Sequence, residues 1–149
     1  MEHLLIIIIL GPSVIAIQVQ DFIRIALYQR DVTVFIGSHE EFKDWIKTNN
    51  YPKTWSNIIT QILESDDNAE ASYWHNSTNG NGIIELHYHP KSTEEICVAA
   101  HECLHATMRI LSFIGIPCFE NEANEPYTYL LEYILEQVLD FNNYKLINI

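Results

Sequence analysis

A chain of 149 residues, 48% of them apolar, is long enough for one domain with its own hydrophobic core, which removes any need for disulfide staples. Eight basic residues against twenty acidic ones give a formal net charge of −12, which excludes a phosphate-backbone footprint for nucleic acid and leaves a cationic or neutral partner. The imbalance is concentrated: from Glu64 to Asp140 fourteen acidic residues stand against Lys91 and Arg109 alone.

Residues 4–17 are almost wholly apolar around Gly11-Pro12. The run is shorter than the ~20 residues of a membrane-spanning helix. Its start, Met1-Glu2-His3, lacks the positive charge of a secretory signal. It reads as a buried β segment turning at Gly11-Pro12, with export or membrane association as the alternative. Cys97, Cys103 and Cys118 are odd in number and form no C-x-x-C pair, so they read as packing residues in a reducing, cytoplasmic setting.

Ile23, Ile25 and Leu27 alternate with Arg24, Ala26 and Tyr28, a half-buried strand pattern. Gln29-Arg30-Asp31 reads as a turn, and Val32 to Ile36, closed by Gly37, as a second strand. Ser38 with Glu41 three residues on is a capping box, and Phe42, Trp45 and Ile46 give the helix it opens an apolar face. Trp55, Ile58, Ile59, Ile62 and Leu63 recur at helical spacing. After an acidic loop over residues 64–70, two strand-like runs, 71–75 and 83–89, flank the loop Asn76 to Gly82 and predict a hairpin. Asn76-Ser77-Thr78 also fits a glycosylation sequon.

Ser92 and Glu95 form a second capping box, opening a helix that should run to about Ile114 with Gly115 just past its end. Asn124 can cap a last helix whose core face is Leu130, Leu131, Ile134, Val138 and Leu139. The pattern predicts a single α+β domain over residues 1–149, strands first and two long helices last.

His101-Glu102-Cys103-Leu104-His105 reads H-E-x-x-H in the middle of the helix opened by Ser92. Residues four apart on a helix lie one above the other, so both imidazoles can reach one zinc ion. Glu102 projects beside that position, where it can take a proton from water. Val98, Ala99, Ala100, Leu104 and Ala106 are apolar or small, so the motif helix is expected to be largely buried, its polar side chains in need of partners. A third carboxylate is available in Glu125, twenty residues after His105, with Glu132 and Glu122 as competitors. His87 and His89, expected on one side of a strand, could form a second metal site, and Arg109 could pair with an acidic neighbour or a substrate carboxylate.

His101-Glu102-x-x-His105 followed by Asn124-Glu125 resembles the gluzincin (thermolysin-like) zinc metallopeptidases. Residues 99–106 together with 125–132 are also similar to small metallopeptidase-like proteins of phages and prophages, for which the host cytoplasm is the expected location. The resemblance covers roughly residues 70–140. It implies a minimal zincin-like domain: a small mixed sheet with an edge-strand hairpin, packed on the H-E-x-x-H helix and a following ligand-bearing helix. It further implies Zn2+ held by His101, His105 and Glu125, with Glu102 as general base in hydrolysing a peptide or protein substrate. The edge strand at Ser72, Tyr73 and Trp74 would bind that substrate. A non-catalytic zinc-binding or protein-interaction module on the same fold is the alternative. The chain departs from the family in having Tyr129 where an aspartate orients the first histidine. It also lacks the further domain that stabilises the oxyanion, a role left open among Tyr127, Tyr129, Tyr133, His87 and His89.

Overall fold

The structure, a computed structural model, describes residues 21–25, 30–66, 68–116 and 124–141; the apolar N-terminal run, Cys118 and Glu122 lie outside these. Strands β1 (Asp21–Ile25), β2 (Arg30–Ile36), β3 (Ala71–His75) and β4 (Gly82–Leu86) form one mixed sheet in the order β1-β2-β4-β3. β2 and β4 are parallel, and β1 and β3 pair antiparallel on their outer sides. Helices α1 (His39–Thr48) and α2 (Ser56–Glu64), with a 3-10 turn at Lys53–Trp55 between them, fill the crossover from β2 to β3. Helices α3 (Thr93–Phe113) and α4 (Asn124–Phe141) follow the hairpin. The α+β class is thus as the sequence pattern predicts, and the sheet is small and mixed, as the resemblance implies. No helix among the described residues is long and apolar enough to cross a membrane.

Side chains alternate across a strand, and here the alternation sorts the core into two halves. Val32, Val34, Ala71, Ile84 and Leu86 pack with α3 and α4 through Ala99, Cys103, Ala106, Ile110, Leu130, Ile134 and Val138. Phe35 and Ile83 pack with Phe42, Trp45, Ile46, Trp55 and Ile62 on the other face. Phe35, Phe42 and Trp45 form an aromatic cluster with ring centroids 5.1–5.9 Å apart, a contact worth more than its buried area alone.

Both capping boxes form. Ser38 Oγ accepts from the Glu41 amide and the Glu41 carboxylate accepts from the Ser38 amide; Ser92 and Glu95 repeat the pattern at α3. The other end of α3 closes on Gly115 at φ +83°, where the Gly115 amide donates to Ser112 O and the Ile116 amide to Leu111 O. The 21-residue helix carrying the H-E-x-x-H motif is therefore fixed at both ends.

Two boundaries and one loop residue differ from expectation. β2 begins at Arg30, because Arg30 and Asp31 pair with Ile25 and Arg24 instead of turning. β4 stops at Leu86, the last residue for which β3 offers a partner, so His87 and His89 are not on a strand. Asn76 is 1% exposed, its amide donating to Thr54 O at 3.1 Å and its carbonyl accepting from the Thr78 amide, so the sequon is built into the hairpin loop.

Replacing Ser92 by Ala removes the side-chain cap of α3 and should lower stability by about 1 kcal/mol in chemical denaturation, with the slope of the transition unchanged. A loss indistinguishable from zero would show that the fold does not depend on this cap.

Candidate metal centre

α3 buries the stripe Ala99, Glu102, Cys103, Ala106, Thr107, Ile110 and Leu111. Residues displaced by about a third of a turn from that stripe face solvent, and these include both motif histidines. His101 and His105 sit one turn apart with Nε2 atoms 3.0 Å apart and ring planes at 80°. Two donors at ~2.0–2.1 Å from a tetrahedral zinc lie about 3.3 Å from each other. The pair therefore suits one ion after an adjustment of a few tenths of an ångström. The expectation that the motif histidines are buried is corrected: they are exposed, as is Leu104 at 42%, because the helix presents only one face to the sheet. Cys103 packs as expected, and burial pushes its thiol up to about 12, whereas Cys97 is exposed and does not pack.

Glu102 turns inward and is 8% exposed. Burial raises its pKa above the usual carboxylate range; the neighbouring His101 and His105 and a hydrogen bond from the Tyr73 backbone amide act the other way. That amide belongs to the edge strand. The His87 amide donates to Glu70 O and the Asn76 amide to Asn81 O, and these bonds bracket the β3–β4 ladder. By the alternation of an antiparallel pair, the backbone groups of Ala71, Tyr73 and His75 then point away from β4, to an edge with no strand partner among the described residues. The Tyr73 side chain packs on the α3 side, whereas Trp74 lies on the α1–α2 side. A side chain on Gly82 would displace the Tyr73 ring, which lies over it. An open groove beside the histidine pair is lined by Glu70, Ala71, Glu94, Cys97, Val98, His101 and Glu102.

His75, which the sequence did not single out, joins this region. Its Nδ1 lies 3.3 Å from Tyr73 Oη, and burial together with the nearby charge of Arg109 lowers its pKa. Its position became legible only with the strand register.

Glu125 lies exposed in the first turn of α4, and Glu132 is also exposed. Among the described residues neither forms with His101 and His105 a cluster of ligand atoms within 4.8 Å of one another. Of the residues considered for oxyanion stabilisation, Tyr127 donates to Ile116 O at 2.9 Å in a packing role, and Tyr129 and Tyr133 are 66% and 40% exposed.

A three-donor cluster does form elsewhere, from His39, Glu85 and His87. Glu85 lies on the α1–α2 face of β4 and is 1% exposed. Its Oε1 is 2.6 Å from His39 Nδ1 and 3.2 Å from His87 Nε2, and its Oε2 accepts from Trp74 Nε1 at 3.0 Å. The sequence signal was a charged residue inside the apolar run Ile83 to Leu86, which must find partners once the strand is buried on both faces.

No protein-family model, curated protein or solved structure matches the chain, so the two clusters are interpreted from their own geometry.

The two clusters should respond differently to truncation. Glu85→Ala leaves the Trp74 indole and two imidazoles facing an empty buried position and should cost roughly 3–5 kcal/mol by denaturant unfolding. His101→Ala and His105→Ala, on the solvent side, should each stay within about 0.5 kcal/mol of the parent. Equal losses at the two places would contradict this contrast.

Proposed function

We propose that the chain is a zinc-dependent hydrolase of peptide bonds on a minimal zincin-like domain. The observation that carries the reading is the His101–His105 pair, with Nε2 atoms 3.0 Å apart, together with Glu102 turned inward beside it on the same helix. The order of parts supports it as well: an edge hairpin, a capped helix bearing the motif against it, and a following helix packed on the first. This is the order that the gluzincin resemblance implies.

His101 and His105 would hold the ion, with Glu125 as the third ligand that the gluzincin resemblance implies. When bound, zinc supplies Lewis-acid polarisation of the substrate carbonyl and acidification of water. Glu102 would take the proton from the attacking water as its oxygen adds to the carbonyl carbon, and would deliver it to the leaving amine as the C–N bond breaks, general base and general acid in turn. The outward backbone groups of β3 align an extended peptide by adding it as a further strand.

A second reading, a non-catalytic zinc-binding or protein-interaction module, is favoured by one observation: Glu125 and Glu132 both stand apart from the histidine pair among the described residues. The two readings part at Glu102, whose charge is needed for turnover and not for holding the ion.

Metal analysis of the purified protein should show His101→Ala or His105→Ala each losing about one zinc per chain. Glu125→Ala should weaken that same equivalent strongly and Glu132→Ala should not; the reverse would move the third ligand to Glu132. Glu102→Gln should keep zinc and fold while losing peptide hydrolysis by ~10²–10⁴-fold. Cleavage at equal rates by Glu102→Gln and the parent would refute the mechanism. A broad peptide library left uncut by the parent, with zinc present, would favour the second reading.

A further inference from the structure

We propose that His39, Glu85 and His87 form a second metal site, for a divalent transition ion such as zinc, on the face of the sheet opposite the His101–His105 pair. It rests on different residues and stands whether or not the chain is a hydrolase.

The arrangement of atoms around the cluster carries the inference. Three donors from three places in the chain converge: His39 from the first residue of α1, Glu85 from β4, and His87 from just beyond it. All their ligand atoms lie within 4.8 Å of one another. The side chains are 4%, 1% and 12% exposed, so the cluster is shielded, with His87 nearest to solvent. Two imidazoles and one carboxylate suit zinc and its first-row neighbours better than calcium or magnesium, which prefer all-oxygen shells.

The far atoms of the two most buried donors are already engaged. His39 Nε2 faces Ser65 O at 3.3 Å and Ser65 Oγ at 3.1 Å. The Ser65 hydroxyl proton is directed to Ile62 O at 2.6 Å, so both Ser65 oxygens present lone pairs to His39. The Nε2 atom must therefore carry a proton. In the neutral ring this leaves the Nδ1 lone pair aimed at Glu85. On the other side, the Trp74 indole holds Glu85 Oε2 and turns Oε1 toward both histidines. Partners that fix the tautomer of a ligating histidine and the orientation of a ligating carboxylate are the usual support of a metal site.

The distance of 2.6 Å between His39 Nδ1 and Glu85 Oε1 requires a shared proton in the ion-free state. A tetrahedral ion with both as ligands would separate them to about 3.3 Å, a shift of less than one ångström that displaces this proton. The same position thus accepts either a proton or a metal ion. A bound ion would tie the start of α1 to the segment that runs from β4 through Pro90 into the cap of α3. It would stabilise the fold in proportion to its occupancy.

The test uses the His101→Ala/His105→Ala double variant, which removes the first site through exposed side chains, with circular dichroism confirming the fold. Stripped of metal and titrated with cobalt(II), it should bind about one equivalent with visible ligand-field absorption that zinc displaces, and zinc should raise its melting temperature. Adding His87→Gln, which keeps an amide donor to Glu85 but removes the imidazole ligand, should abolish both signals. Adding Trp74→Phe, which keeps an aromatic ring but removes the indole N–H, should weaken cobalt binding by about 10–100-fold. No saturable cobalt or zinc binding in the folded double variant overturns the proposal. Binding that survives His87→Gln undiminished also overturns it, and affinity unchanged by Trp74→Phe removes Glu85 from the ligand set. Loss of zinc or activity from the first site alters none of these outcomes.

Discussion

Burial of β4 on both faces is the constraint on which the rest of the molecule depends. It is the strand hydrogen-bonded to two neighbours at the hairpin end of the sheet, and all five of its residues are buried. Ile84 and Leu86 serve the α3–α4 layer, while Ile83 and Glu85 serve the α1–α2 layer. A one-residue slip in its pairing would exchange these sets and drive Glu85 into the apolar core beneath α3. The register is therefore held by apolar contacts on one face and by the polar partners of a single carboxylate on the other.

Two inward-facing carboxylates, Glu85 and Glu102, show how much the surroundings of a buried charge decide. Glu85 is surrounded by donors: an indole and two imidazoles. The His39 pKa shows this pairing from the other side. Burial acts to lower it, but the hydrogen bond and charge of Glu85 outweigh burial, and the net shift is upward. Glu102 has one backbone amide and two histidines at its side, and burial prevails, raising its pKa. The first environment suits a carboxylate that organises its neighbours through hydrogen bonds. The second suits a group that gains and loses a proton.

The position of α3 follows from its stripe of small residues. Ala99, Cys103 and Ala106 let the helix pack closely against the sheet, and this buries Glu102. The same rotation about the helix axis leaves His101 and His105 outside, next to an open groove. Accessible histidines and an inward glutamate are thus consequences of one choice of helix face. An edge strand with outward backbone groups is ordinarily a liability for aggregation.

Much of the local structure was legible from the sequence because it depends on neighbours in the chain. Both capping boxes, the glycine stop of α3, the apolar faces of α1 and α4 and the hairpin all follow from short-range spacing. The H-E-x-x-H pairing belongs to the same class, since four residues on a helix place two rings together wherever the helix lies. Solvent exposure of those rings was not legible. Apolar residues on all sides of the motif suggested burial, and only packing against β3 and α4 decided which face was covered. The partnership of His39 with Glu85 spans 46 residues of chain and arises from the crossover that sets α1 against β4, so no local pattern could contain it. The sequence by itself determined which helices and strands exist and that two histidines and a glutamate share one helical turn. Tertiary structure alone decided which carboxylates are buried, what surrounds them and which histidines meet, because burial and long-range contact are properties of the packed sheet and not of any segment of it.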